Sequence, residues 1–193
     1  MKTIILDTES NGNKFQQMCQ LSYIISDNKE LSAKNFFFSV DSMNEYAQKK
    51  HGFSKMRLHE LSGGKRFKDR LPEFIDDFVD PDLICGHNIA ADLRILKLSF
   101  NDAGYQLLNH RSFCTMKHFD NATNLKSRTG KHKPPRLEEL CRFYRIPEQR
   151  ILDFCVFLFG ESAYRAHDAR FDATATYLCI AEAQKRGDLK GVI

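Results

Sequence analysis

The chain reads as one α/β domain, a mixed central sheet flanked by helices, and three features of its 193 residues say so. Up to Val40 it consists of short Ile-, Leu- and Phe-rich runs broken by a polar turn, the mark of strands. From Ser42 onward, apolar residues recur at i, i+3, i+4 and i+7, the spacing of amphipathic helices. One brief apolar run, Leu83 to Cys85, interrupts the helical part and leads through a glycine into another helix. Such alternation builds a sheet with helices on its faces. The only stretch of linker composition, KSRTGKHKPPR at 126–136, is too short to separate two domains, so a single domain over 1–193 is expected.

Thr3 to Leu6 is the first expected strand, an apolar run that ends in carboxylates. Gln17 to Ser26 and Ser32 to Val40 follow, with Asp27-Asn28-Lys29-Glu30 as the turn between them. Leu71, Phe74, Ile75 and Phe78 predict an amphipathic helix that stops before Pro81. Leu83 to Cys85 is a buried strand, and Gly86 lets the chain turn into a helix near Ile89. Leu137, Leu140, Cys141 and Tyr144 mark one later helix; Ile151, Phe154, Cys155 and Leu158 mark another. A last helix runs from about Asp168 to Lys185. No internal repeat or low-complexity tract is present.

Composition excludes several classes. A hydrophobic fraction of 42% with 28% charged residues rules out a disordered or collagen-like chain. Lys and Arg total 29 against 25 acids, a net charge of +4 that tolerates a polyanionic partner without demanding one. The six cysteines form no CxxC pair and no zinc-ribbon spacing, and most lie in apolar stretches. They read as reduced, buried thiols of a cytoplasmic protein. A carboxylate at Asp7 comes too early for a secretory signal, and no run of about 18 apolar residues could span a membrane.

The chemistry rests with a few acids picked out by context. Asp7 and Glu9 end the first strand two positions apart, so both face one spot while Thr8 points the other way, into the fold. Asp92 stands near the first turn of the helix that follows Gly86-His87-Asn88. His167 opens the last helix, and Asp172 lies five residues on, before small Ala and Thr positions that permit close packing. Each alone has an ordinary explanation: a solvated strand end, an acid favoured by a helix dipole, a cap. Their combination in one α/β chain is a stronger signal than any part.

The motifs LDTESNG (6–12), GHNIAADLRIL (86–96) and HDARFDA (167–173) resemble, in order and separation, those of the DEDD superfamily of 3′–5′ exonucleases. The closer likeness is to its histidine-bearing, DEDDh or DnaQ-like branch, which includes the proofreading epsilon-type exonuclease domain of bacterial replicative polymerases. HGFS (51–54), FCTM (113–116) and LEELCRFYRIP (137–147) also look like family features. The resemblance implies a ribonuclease-H-like fold, Asp7, Glu9, Asp92 and Asp172 as metal ligands, and His167 as general base. One departure is Ala91, where the family often carries an aromatic before the second-motif aspartate. Tyr164 and Asp168 mimic the Y-x-x-x-D spacing of the tyrosine branch, but DATAT follows Asp172, which favours His167 and Asp172. Tyr164 is then a packing residue before the helix, and Asp168 its N-cap.

Elementary chemistry agrees with that implication. Clustered carboxylates repel one another unless cations sit between them, and all-oxygen ligands favour Mg²⁺ or Mn²⁺ over Zn²⁺. Two such ions about 3.5–4 Å apart serve the attacking and leaving oxygens of an in-line displacement, with Asp7 bridging them. A histidine of ordinary pKa about 6.5 suits proton removal from water near neutral pH. The expected reaction is removal of nucleoside 5′-monophosphates from the 3′ ends of single-stranded nucleic acid, DNA favoured and RNA possible.

Substrate contacts are expected from Thr8 and Ser10 at the 3′-terminal sugar and from His51 at the terminal nucleotide. The loop 126–136 offers Lys126, Arg128, Lys131, Lys133 and Arg136 with no acid among them, suited to a phosphate backbone. Most of the sixteen Phe residues must be core. Two rivals remain: a trimming ribonuclease similar to ribonuclease T or oligoribonuclease, and a silent binding or polymerase-associated module. The chain stops at Gly191-Val192-Ile193, just past its last helix, so any polymerase contact is expected through the domain surface rather than through a tail.

Overall fold

The computed structural model describes residues 1–14, 16–28, 30–160 and 165–193. Strand β1 (Lys2–Ser10) pairs antiparallel with β2 (Met18–Asp27), and β2 with β3 (Glu30–Phe37). On the other side of β1, β4 (Leu83–Gly86) and then β5 (Ser112–Cys114) add in parallel. The sheet order is β3-β2-β1-β4-β5, so β1 is central. Helices α1 (Glu45–His51), α2 (Lys55–Ser62) and α3 (Phe67–Arg70) follow the third strand. α4 (Ile89–Asp102) follows β4, and the short α5 (Thr115–His118) and α6 (Asp120–Thr123) follow β5. α7 (Leu137–Phe143), α8 (Glu148–Phe159) and α9 (Ala169–Arg186) complete the described elements.

Alternation along β1 divides the core into two layers. Ile4 and Leu6 join Tyr23, Ile84, Leu96 and Phe100 on the α4 side. Ile5 joins Ile24, Cys85, Cys155 and Cys179 on the side of α7 to α9. All six cysteines are free thiols and five are buried. Among the described residues, no helix is long and apolar enough to cross a membrane.

Several elements differ from the sequence reading, each for a local reason. The expected helix around Leu71 to Phe78 is broken into 3-10 turns, Leu71–Glu73 and Ile75–Phe78. The break falls at Phe74, whose backbone (φ −144°) leaves the helical region between the two turns, while Pro72 takes the first turn, where its missing N–H is no loss. Its apolar face survives, because Leu71, Phe74 and Phe78 are buried against the core. The third strand spans Glu30–Phe37 rather than ending at Val40, and Asp27 pairs directly with Glu30. Of the two residues between them, Asn28 is left-handed (φ 48°) and Lys29 lies outside the described residues. The turn after β4 gets its left-handed residue from Asn88 (φ 69°), not from Gly86. Gly86 serves close packing: a Cβ there would lie 3.1 Å from the Leu6 carbonyl oxygen and 2.7 Å from Ile89 Cδ1. The three-residue β5 was not anticipated; its length leaves no periodicity to read.

Candidate active site

The carboxyl end of β1 is where the chemistry-bearing residues meet. Asp7 and Glu9 continue the alternation of Ile5 and extend from the α9 side of the sheet. Thr8 faces α4, where it is half-buried rather than packed into the fold. Its hydroxyl and its backbone N–H both donate to Asp92 Oδ1, at 2.7 and 3.1 Å. That double bond fixes Asp92, in the first turn of α4, against the strand end.

Asp172 arrives by a different route. Glu9 is paired across the strands with Gln20, and a register shift follows between Glu9 and Ser10. The Gln20 amide donates to Asp168 Oδ1 (2.9 Å), and its oxygen accepts from the Ala169 N–H (3.0 Å). Gln20 thereby fastens the start of α9 to β2. Asp168 is the N-cap, accepting from Arg170 N, Nε and Nη2 at 3.0, 2.9 and 2.7 Å. Small residues let α9 lie close to the sheet: Ala173, Thr174, Ala175 and Thr176 are all buried. One turn into the helix, Asp172 faces Glu9. His167 is left-handed (φ 67°) and donates its N–H to Asp172 Oδ2 at 3.2 Å, with Nδ1 3.8 Å from the same oxygen. Ligand atoms of Glu9, His167 and Asp172 all lie within 4.8 Å of one another, an arrangement able to hold a cation.

The turn after β1 brings α1 alongside. Asn11 accepts from Asn13 and Gln17 N–H groups through its side chain, and its carbonyl accepts from Asn44 N–H. Gly12 is left-handed (φ 69°), and a Cβ there would approach Ala47 Cβ to 2.7 Å. This close approach carries Lys50 and His51 to the strand end. His51 is buried, 1% exposed. Its Nδ1 accepts from Phe53 N–H (3.0 Å), so Nε2 donates to the Ser10 carbonyl (3.3 Å). The histidine thus holds Ser10 in place.

Electrostatics follow from crowding. Burial pushes Asp7 well above the usual carboxylate range, aided by the charges of Asp92, Asp172 and Glu9. Burial also lifts Glu9 to about 8, with Lys50 pulling it back, and Asp172 to about 7, with the His167 N–H opposing. Asp92 rises to about 6, restrained by its bonds from Thr8. His167 moves down, first by burial and then by the Lys50 charge, so it is a neutral acceptor near neutral pH. Lys50 is the cation common to all five shifts, yet it alone leaves the cluster short of positive charge. A set of oxygen donors that cannot ionise together unaided suits hard divalent cations.

The basic loop is less exposed in charge than its sequence suggests. Ser127 N–H bonds the Lys131 carbonyl, and Lys133 N–H the Leu125 carbonyl, closing a small hairpin. Lys133 Nζ lies 2.6 Å from both Glu139 oxygens, and Arg136 pairs with Glu138. Lys131 makes no ion pair among the described residues. His87 ties the loop to the turn before Asp92, with Nε2 3.0 Å from the Pro135 carbonyl. Tyr164 lies outside the described residues. Gln20 and Lys50 were missed from sequence; Gln20, polar within the apolar run CQLSYII, was the one that carried a signal.

No family model and no curated protein matches the sequence. Among solved structures, the chain is similar to Escherichia coli exonuclease I in complex with a dA16 oligonucleotide (TM-score 0.72, 15% identity, 95% of this chain). It is also similar to the metal-free form of the E. coli exonuclease I complex with single-stranded DNA (TM-score 0.68, 15% identity, 97% of this chain). The chain spans only 41% and 40% of those proteins' lengths. The likeness is one of fold: the mixed five-stranded sheet with its helices is of the α/β, ribonuclease-H-like kind.

Proposed function

We propose that the chain is a metal-dependent 3′–5′ exonuclease that hydrolyses phosphodiester bonds at the 3′ end of single-stranded DNA and releases nucleoside 5′-monophosphates. The observation that carries this reading is the convergence of Asp7, Glu9, Asp92 and Asp172, from three elements, at one strand end beside His167. These four carboxylates would hold two Mg²⁺ or Mn²⁺ ions, and Asp7 feels the charges of the other three. Such ions, when bound, neutralise charge on the scissile phosphate and on the attacking and leaving oxygens. His167 takes the proton from the attacking water: it is half-exposed, neutral near pH 7 and tethered by Asp172. Thr8 keeps Asp92 in position. The preference for DNA draws support from the likeness in fold to exonuclease I, whose structures contain single-stranded DNA.

The test uses 5′-labelled DNA and RNA strands of one sequence, each with Mg²⁺, Mn²⁺ or EDTA. A ladder that shortens from the 3′ end, faster on DNA, is expected, and Asp7→Asn and EDTA should both abolish it. Faster RNA cleavage would transfer the same chemistry to a trimming ribonuclease. Intact strands throughout, or cleavage indifferent to EDTA, would overturn the proposal.

A further inference from the structure

Against His51 lies a cavity of about 380 Å³ that the proposed chemistry does not use. Its wall carries Arg57, Arg70, Arg165 and Arg170, with Phe37 and Phe53, and among the described residues Asp168 is the only acid in the lining. The four guanidinium groups differ in how far they are committed. Arg170 is bonded by Asp168, both are buried, and it lies 5.3 Å above the Phe37 ring. Arg70 is held by both Glu73 oxygens and covers Phe36. Among the described residues the Arg57 side chain pairs with Glu60 alone, at 3.1 Å on its own helix, and both side chains are more than half exposed (59% and 55%). Such a pair holds weakly in water and yields readily to a better anion. Arg165 donates to the His51 carbonyl at 3.0 Å and makes no ion pair among the described residues. Gly52 leaves room for it: a Cβ there would occupy the place of the Arg165 guanidinium.

We propose that this cavity is a nucleotide-phosphate site, with Arg57 and Arg165 gripping the phosphate and Phe53 offering its ring to the attached nucleoside. Guanidinium forks match phosphate oxygens in pairs, and an aromatic wall suits a base of any sequence. The phosphate could belong to the strand being trimmed, at a nucleotide remote from the cut, or to a free mononucleotide. His51 and Asp168 form part of this wall and also hold Ser10 and the start of α9, so the two sites share structural supports. The assignment rests on the nuclease reading for the identity of its ligand, and its test involves no cleavage.

Binding of a fluorescent oligothymidylate and of thymidine 5′-monophosphate would be measured in EDTA with the full chain over a salt series. Arg57→Gln and Arg165→Gln would be compared with Arg111→Gln, which removes the same charge just before β5. The expectation is about a tenfold loss of oligonucleotide affinity for each cavity variant and a salt slope shallower by about one, with Arg111→Gln unchanged. Competition by the mononucleotide that also depends on Arg57 would name the free nucleotide as ligand; binding of the oligonucleotide alone would name the strand. Arg57 is exposed and outside the core, so its variant keeps the test valid should Arg165→Gln misfold. Equal binding by the parent, Arg57→Gln and Arg111→Gln would overturn the site and leave the nuclease assignment untouched. An Arg57-dependent loss in a chain that cleaves nothing would support the site and count against the nuclease assignment.

Discussion

Two aspartates one turn apart at the start of α9 show how environment separates structure from chemistry. Asp168 is buried, caps α9 and accepts from Gln20 and Arg170, so its removal takes the acceptor from several buried donors, a cost of about 1–3 kcal/mol. Asp172 has no guanidinium beside it among the described residues and is lifted to about 7 by burial. Asp168→Ala should therefore lower stability by about 1–3 kcal/mol in thermal denaturation. Asp172→Asn should fold at least as well as the parent and lose cleavage. The reverse pattern would show that the third motif has been misread. The raised acids also set a pH dependence. Glu9, Asp172 and Asp92 titrate near 8, 7 and 6 when folded but near 4 when unfolded, so the folded chain binds more protons across that window. Their contribution to stability is greatest below the unfolded values and is lost as pH rises through the folded ones. In EDTA, the melting temperature should fall between about pH 5 and pH 9, and Asp172→Asn should flatten that fall. Asp7, Glu9, Asp92, His167 and Asp172 were legible in the sequence because each sits at a strand end or helix start beside small or turn residues. Lys50 was not, since only the fold of the Ser10-Asn11-Gly12 turn brings α1 to the cluster.

Elements reach the site through a few side chains that bridge them, and these are hard to see in one dimension. Gln20 pairs opposite Glu9 and straps α9 to β2, although the two meet across nearly the whole sequence. Gln20→Leu would leave the buried Ala169 N–H without its acceptor, a cost of about 1–3 kcal/mol. Because the same strap aims His167 and Asp172, kcat should fall by more than the affinity for single-stranded DNA in EDTA. A loss of stability without a loss of kcat would make Gln20 a packing residue only. The strands and long helices were readable because their periodicity is strong over many residues. The segment around Leu71 to Phe78 shows the limit: its apolar spacing correctly gave the buried face, whereas the break in the backbone at Phe74 left no mark in that spacing. β5 escaped notice because three residues placed by pairing with β4 carry too little local signal.

A fold likeness at 15% identity carries the sheet and its helices, but it does not by itself carry the ions. What this chain adds is an acid cluster opposed to its own folding: four carboxylates at one strand end in a protein of net charge +4, with Lys50 as their shared cation. Folding and cation binding must then be linked, because an ion that binds the folded cluster relieves repulsion that the unfolded chain never feels. Mg²⁺ or Mn²⁺ added to the EDTA-treated chain should raise its melting temperature, by the equivalent of about 2.7 kcal/mol at a hundredfold excess over Kd. The rise should grow with pH, since more of the cluster is then ionised in competition with the cation. Asp7→Asn should reverse the pattern, with a higher melting temperature in EDTA and little response to either ion. Differential scanning calorimetry of the two proteins across pH decides the matter without any substrate. An equal response in both would mean that the ions bind elsewhere, and the carboxylates would then have to be explained without metal.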